Sequence, residues 1–387
     1  MKLGMRIAAI ALKILAKFFS LFSIKNEVAL VSRQSSKPSQ DFRMLKESLV
    51  ELLGKNCVHY YLTTPEFAGK RAFVAGMLAQ FKAVRTSRVV VIDGYIPAVS
   101  IPKKRKGVTV IQMWHAIGVT KKSGFQNVGM PSGRSEWEAK IACMHENYDH
   151  IVVASERAID YYMQVFNYER SYFKPLGMPH IDCLLNPEKL DFAQNTLLEI
   201  SEKYPWLDEG KHVVMYAPTF RSREEKTPWI EQSLVKLMKH CNDDTIVLFS
   251  GHPFDKQVAE ELRDKYKNLR VIPDYSTTEL VKKVDVMISD YSTVAFEASL
   301  AGVRVCFYVP DYDEYKRNFG LNLDFLDPQI CFGSRSAAEV MQVAQSDDHP
   351  GFDAWKKFTD DYFYGVRFGC TKRVANFVAK PIEEIKN

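Results

Sequence analysis

Short apolar runs alternate along most of the chain with stretches whose apolar positions recur every three or four residues. A first series of runs is rich in β-branched residues and predicts strands: "EVALVSR" (27–33), "CVHYYL" (57–62), "RVVVID" (88–93), "VTVIQMW" (108–114) and "HIVVAS" (150–155). A second series predicts another set: "HVVMYAP" (212–218), "TIVLFSG" (245–251), "LRVIP" (269–273), "VDVMIS" (284–289) and "VRVCFYV" (303–309). Helical patterns lie between them. Phe42, Leu45, Leu49 and Leu52 mark a helix over 41–53, and "STTE", Ser276 to Glu279, reads as a capping box. Such alternation implies an α/β class, with parallel sheets covered by helices on both faces. The series breaks near 180–200, around "NPEKLDFAQN", which divides the chain into residues 26–190 and 191–387 after a distinct segment 1–25. Ligand chemistry then belongs at the carboxyl ends of the strands, in the crevice between the two sheets.

The first 25 residues follow a different pattern. In "MKLGMRIAAIALKILAKFFSLFSIK", the cations Lys2, Arg6, Lys13 and Lys17 are spaced by 4, 7 and 4 residues. At about 100° per residue they share roughly 60° of arc, while Ile7, Ile10, Ile14, Leu15, Phe18 and Phe22 fill most of the remainder. A spanning helix needs about 20 consecutive apolar residues, and the lysines interrupt this one. A cleaved signal would not carry lysines within its apolar region. The pattern fits a helix lying in a membrane interface, each cation adding about 1 kcal/mol against an anionic leaflet. The alternative is a helix packed on the protein's own core.

Polar clusters sit where the strands end. "WHAIG" follows the fourth strand, and "APTFR", "SGHP" and "SDYST" follow strands of the second series. In "SDYST" (289–293), Ser292 and Thr293 begin a helix, where free N–H groups and hydroxyls suit an anion, or where Ser292 simply caps. Arg221 offers a planar donor fork suited to phosphate, or is a surface cation. His115 and His252 each follow a buried strand among turn-forming neighbours. A neutral imidazole there can take a proton from an attacking hydroxyl. Asp93 in "DGY" orients a histidine, binds an acceptor or forms a turn. The basic, glycine-rich "TKKSGFQNVGMPSGR" (120–134) reads as a lid, an acceptor site or a solvated loop.

Composition narrows the chemistry. A length of 387 residues suggests two domains, and 46% apolar residues can fill two cores. A net charge of +5 is too mild over this length to argue for nucleic acid. The seven cysteines are scattered without CxxC spacing, as expected of reduced thiols in the cytosol. None of the nine histidines pairs with another at metal-ligand spacing, so no metal site is expected. The absence of GxSxG, Walker A and GxGxxG motifs argues against serine hydrolases, P-loop enzymes and ordinary dehydrogenases.

Taken in order, the clusters resemble the CDP-glycerol glycerophosphotransferases of wall teichoic acid synthesis. The family pattern of "WHG/A", "APTFR", "HP", "SDYSS" and a "Y…D…EY" segment stands here as Trp114-His115-Ala116, Ala217 to Arg221, His252-Pro253, Ser289 to Thr293 and "FYVPDYDEYKRNFGLNLDF". The resemblance spans roughly residues 27–370, with alanine after His115 and threonine at 293 as departures. "SRQSSKPSQDF", "DGYIPAVS" and "MWHAIGVTKKSGFQ" look most like the short primase-type members.

The resemblance implies a GT-B-like architecture of two Rossmann-like domains, acceptor side first and CDP-glycerol side second. It implies transfer of glycerol phosphate from CDP-glycerol to an undecaprenyl-diphosphate-linked disaccharide, releasing CMP at the cytoplasmic face of the cell membrane. His115 would be the base. His252, Thr219, Arg221, Ser289, Asp290, Ser292 and Thr293 would meet the diphosphate, Pro273 and its neighbours the cytosine, and Asp93 the acceptor side. No cofactor is required, and a Mg²⁺ ion arriving with the nucleotide and a homo-oligomer both stay open. The rivals are a ribitol-phosphate or chain-extending transferase of the same family, a GT-B glycosyltransferase using a nucleotide-sugar (with Glu297 in "FEASLAG" as its mark) and a non-enzymatic membrane scaffold.

Overall fold

The computed structural model describes residues 2–63, 69–221 and 229–385. Two compact units emerge. The first comprises residues up to Ile117, Lys122–Asp182 and the chain from Tyr364 onward; the second comprises Gly118–Lys121 and Cys183–Phe363.

In the first unit, β1 (Lys25–Val31), β2 (Val58–Tyr61), β3 (Ser87–Ile92), β4 (Thr109–Gln112), β5 (His150–Val152) and β6 (Phe173–Lys174) form one sheet in the order β2-β1-β3-β4-β5-β6. Every neighbouring pair is parallel, with Val28 opposite Val89 and Val91 opposite Ile111. Strands covered on both faces read as continuous apolar runs. Val28, Ala29, Leu30 and Val31, and Val89 to Ile92, are all fully buried.

The second unit repeats the plan. Strands β7 (His212–Ala217), β8 (Thr245–Phe249), β9 (Leu269–Val271), β10 (Val286–Ser289), β11 (Arg304–Tyr308) and β12 (Gly333–Ser334) run in parallel in the order β12-β11-β10-β7-β8-β9. Its core gathers Val214, Val247, Ile288, Leu234 and Val340 from sheet and flanking helices. The strands β6 and β12, of two residues each, carry no visible alternation, and the sequence pattern missed them.

The boundary differs from the expected split at 190/191. The helix Cys370–Glu383 belongs to the first unit, where it packs on α2 (Gln40–Leu53) and buries Val374, Ala375, Val378, Ala379 and Ile382. Its start is tied down by Asp182. One carboxylate oxygen accepts from the N–H groups of Gly369 and Cys370, the other from the N–H and hydroxyl of Thr371. A carboxylate at a helix amino end satisfies donors that the helix itself cannot.

The amino-terminal helix α1 (Lys2–Phe19) docks through small residues. Ala9, Ala16 and Phe19 are its buried positions, and the Phe19 ring lies 6.2 Å from Phe81 of α3 (Gly69–Thr86). Leu3, Ile7, Ile10, Ile14 and Phe18 are 53 to 72% exposed. These five large apolar side chains therefore face solvent while Phe19 is buried, against the reading of a helix packed on its own core by that face. Phe73, Val74, Met77 and Leu78 of α3 are also exposed. Among the described residues no helix is long and apolar enough to cross a membrane.

Candidate active site

The fourth strand ends at Gln112, and the chain then turns sharply. Trp114 has φ 40°, a left-handed conformation that costs a residue with a Cβ about 1–3 kcal/mol and persists only where neighbours hold it. The holder is Gln112, which is fully buried. Its Oε1 accepts from the Trp114 N–H at 2.9 Å, and its Nε2 donates to the Gly94 carbonyl at 3.1 Å. The Trp114 ring packs edge-on against Phe166 at 5.3 Å and lies 4.3 Å from the ring of His115. Behind it, the buried imidazole of His145 is kept neutral, its pKa pushed down to about 3 by burial and by the charge of Arg134.

This turn presents His115 with its ring exposed and one nitrogen committed. Nδ1 lies 2.9 Å from the backbone carbonyl of Asp93. A carbonyl oxygen only accepts, so Nδ1 carries the proton and Nε2 keeps the lone pair. That is the tautomer a general base requires. Asp93 thus orients the histidine, but through its main chain. Its carboxyl group is buried, and one oxygen has no hydrogen-bond partner among the described residues. Burial raises its pKa, while the Ser32 hydroxyl and His115 pull it back.

In the second unit, several residues expected to meet a diphosphate turn inward. Asp290 is completely buried. Oδ1 accepts from the Thr219 N–H at 2.8 Å and the Thr219 hydroxyl at 2.6 Å, and Oδ2 accepts from Arg221 at 3.0 Å. Arg221 also donates through Nε to Asp311 at 3.1 Å and through Nη1 to the Thr219 carbonyl at 2.8 Å. Its guanidinium is enclosed by Trp229, Tyr291 and Tyr315 at 4.4, 5.3 and 4.6 Å. Burial alone would lower its pKa, but Asp290 and Asp311 more than offset this and raise it. Arg221 is therefore held as an internal ion-pair anchor, with its donors engaged by Asp290, Asp311 and the Thr219 carbonyl. Ser289 is buried as well, its hydroxyl donating to the Ala217 carbonyl at 3.0 Å. Thr219, Arg221, Ser289 and Asp290 brace the ends of β7 and β10 and leave their donors engaged.

Ser292 and Thr293 remain at the surface of that brace. The following helix, Val294–Leu300, is seven residues long, and its N-cap is Thr293, with no side-chain capping bond. Ser292 accepts from the Val294 N–H only at 3.4 Å, so simple capping does not account for this hydroxyl pair. His252 is exposed at the start of the helix Pro253–Leu262, and its ring lies 4.3 Å from that of Phe220. At the end of β9, the carbonyls of Ile272, Pro273 and Tyr275 converge on the Lys256 ammonium at 2.9, 3.5 and 3.3 Å. Backbone acceptors expected to read a base near Pro273 are thus already engaged by a cation. Glu297 accepts from Thr278 at 2.5 Å.

Sequence reasoning missed Gln112, Asp311, Tyr291 and Tyr315 as organisers. The last two stack at 3.8 Å beneath the site, and the Tyr291 hydroxyl donates to Asp311 at 3.0 Å. The segment "DYDEY" carried the signal for Asp311 and Tyr315, but nothing local shows that they face Arg221. Residues 120–134 divide between the units at Lys121/Lys122, and the later part holds a short turn of helix at Gly124–Asn127 packed on Val165. Among the described residues no group of three His, Cys, Asp or Glu side chains is placed to hold a metal ion.

The model of the CDP-Glycerol:Poly(glycerophosphate) glycerophosphotransferase family matches residues 15–380. The chain belongs to this family. As a member it is a transferase of the teichoic acid type. It is 27% identical over 362 residues to the teichoic acid ribitol-phosphate primase of Bacillus spizizenii, covering 92% of this chain and 91% of that protein. It is 24% identical over 284 residues to the teichoic acid glycerol-phosphate primase of Bacillus subtilis, covering 71% and 70%. The structure of the wall teichoic acid polymerase TagF superposes with a TM-score of 0.76 at 18% identity, covering 100% of this chain and 98% of that one. UDP-GlcNAc 2-epimerase from Neisseria meningitidis superposes at 0.60 with 13% identity, covering 92% and 100%. These two likenesses establish the GT-B-like fold of the family member.

Proposed function

We propose that this glycerophosphotransferase-family member moves glycerol phosphate from CDP-glycerol to a hydroxyl of an undecaprenyl-diphosphate-linked disaccharide, releasing CMP. The observation that carries the reading is the Asp93 carbonyl on Nδ1 of His115, which leaves a basic Nε2 on an exposed ring. Nε2 takes the acceptor's proton, and the freed oxygen attacks the β-phosphorus of the donor. The bond from that phosphorus to the bridging oxygen breaks, and CMP departs with the pair of electrons. Ser292, Thr293 and His252 stabilise charge on the transferring group. A ribitol phosphate transfer from CDP-ribitol is the second reading, favoured by the ribitol-phosphate primase whose match covers 92% of the chain. Turnover with a lipid-linked disaccharide decides. CMP release from CDP-glycerol is expected, turnover of CDP-ribitol alone selects the second reading, and turnover of UDP-sugars alone removes both.

We infer a peripheral position on the cytoplasmic face of the membrane, where a lipid-linked acceptor stays. Support comes from the exposed Ile7, Ile10, Ile14 and Phe18 on a helix with four cations. Withdrawing three buried aliphatic side chains from lipid costs each about 1.5–3 kcal/mol. The triple variant Ile7→Glu, Ile10→Glu and Ile14→Glu should therefore leave anionic liposomes almost completely in cosedimentation while keeping its melting temperature. Unchanged binding would remove the interfacial helix from the account.

A further inference from the structure

With Arg221 paired to both Asp290 and Asp311, this ion-pair cluster at the ends of β7 and β10 sets one cation against two carboxylates among the described residues. Those three groups by themselves offer a diphosphate no net attraction. The short strap Gly118–Lys121 brings a second cation to the cluster. Within the second unit, the Thr120 hydroxyl donates to the Tyr291 carbonyl at 2.6 Å, inside the "SDYST" turn. Asn322 donates its N–H to the Thr120 carbonyl at 2.9 Å and its side chain to the Lys121 carbonyl at 3.0 Å, and Lys121 forms an antiparallel bridge with Leu321. At Gly118 a Cβ would stand 2.3 Å from the Phe296 ring, so only glycine lets the strap lie so close to the helix Val294–Leu300. The strap is held on both sides along the turn that carries Ser292 and Thr293.

Lys121 is half-buried, and among the described residues its ammonium has no hydrogen bond or ion pair. Burial lowers its pKa, Asp290 raises it and Arg221 lowers it again. A desolvated ammonium without acceptors is unfavourable, and an arriving anion removes that penalty. We propose that Lys121 binds the diphosphate of the nucleotide donor, completing with Ser292 and Thr293 the site that Arg221 does not supply. The assignment builds on the CDP-polyol reading, and inorganic pyrophosphate separates the two.

Calorimetric titration of the full chain with CDP-glycerol and with pyrophosphate tests it on wild type, Lys121→Gln and Lys121→Arg. Lys121→Gln should weaken both ligands roughly 10- to 100-fold, the span of hydrogen bonds to charged groups, with an unchanged melting temperature and near-complete rescue by Lys121→Arg. Undiminished pyrophosphate and CDP-glycerol binding in Lys121→Gln overturns the assignment. So does a loss of binding that accompanies a fall in melting temperature and is not rescued by arginine. If wild type binds pyrophosphate through Lys121 but gains nothing from CDP-glycerol, the lysine stands and the CDP-glycerol reading falls. If wild type binds neither, both fall.

Discussion

Replacing His115 by alanine should lower the single-turnover rate of CMP release by at least about 100-fold, within the 10²- to 10⁴-fold range of a general base. Donor affinity should change little, because the candidate donor residues lie on the other unit. Stability should change little as well, since the ring is exposed and surface substitutions usually stay within about 0.5 kcal/mol. A rate within a few-fold of wild type would remove His115 from the chemistry, and a melting temperature that fell with the rate would assign it to the fold.

The opposite pattern is expected at Arg221. Arg221→Ala leaves the buried Asp290 and its neighbour Asp311 without their ion-pair partner. Breaking a buried pair by removing one partner costs roughly 3–5 kcal/mol. The second unit should therefore unfold at clearly lower denaturant concentration, with donor turnover lost as a by-product of a loosened brace. Arg221→Lys should recover only part of the stability. A lysine has no planar fork with which to reach Asp290, Asp311 and the Thr219 carbonyl together. An unfolding midpoint equal to wild type in Arg221→Ala, with donor binding selectively weakened, would restore Arg221 to the role its sequence setting suggests.

That contrast shows where sequence reading succeeds and where it stops. The runs at 88–93 and 284–289 were legible because strands buried on both faces must be apolar throughout. The "STTE" capping box was legible because its partners are three residues apart; Ser276 and Glu279 exchange both bonds. The ion pairs of Arg221 were not legible because its partners lie 69 and 90 residues away, and a planar donor fork serves an internal carboxylate as well as a ligand phosphate. His115 was legible as a strand-end histidine. Its tautomer was not, since that depends on the carbonyl of residue 93. The exposure of the α1 stripe likewise follows from which residues it buries, Ala9, Ala16 and Phe19, and not from its periodicity.

The tie between Asp182 and the start of the helix Cys370–Glu383 closes the first unit with chain that is made only after every strand of the second. Its sheet is synthesised early but waits for α2's covering helix until the second unit's strands have been made. The second unit, whose strands lie within residues 212–334, has all of its sheet available sooner. The first unit would then complete its fold after the second, and a nascent chain halted before residue 370 would hold an uncovered apolar helix for chaperones to shield.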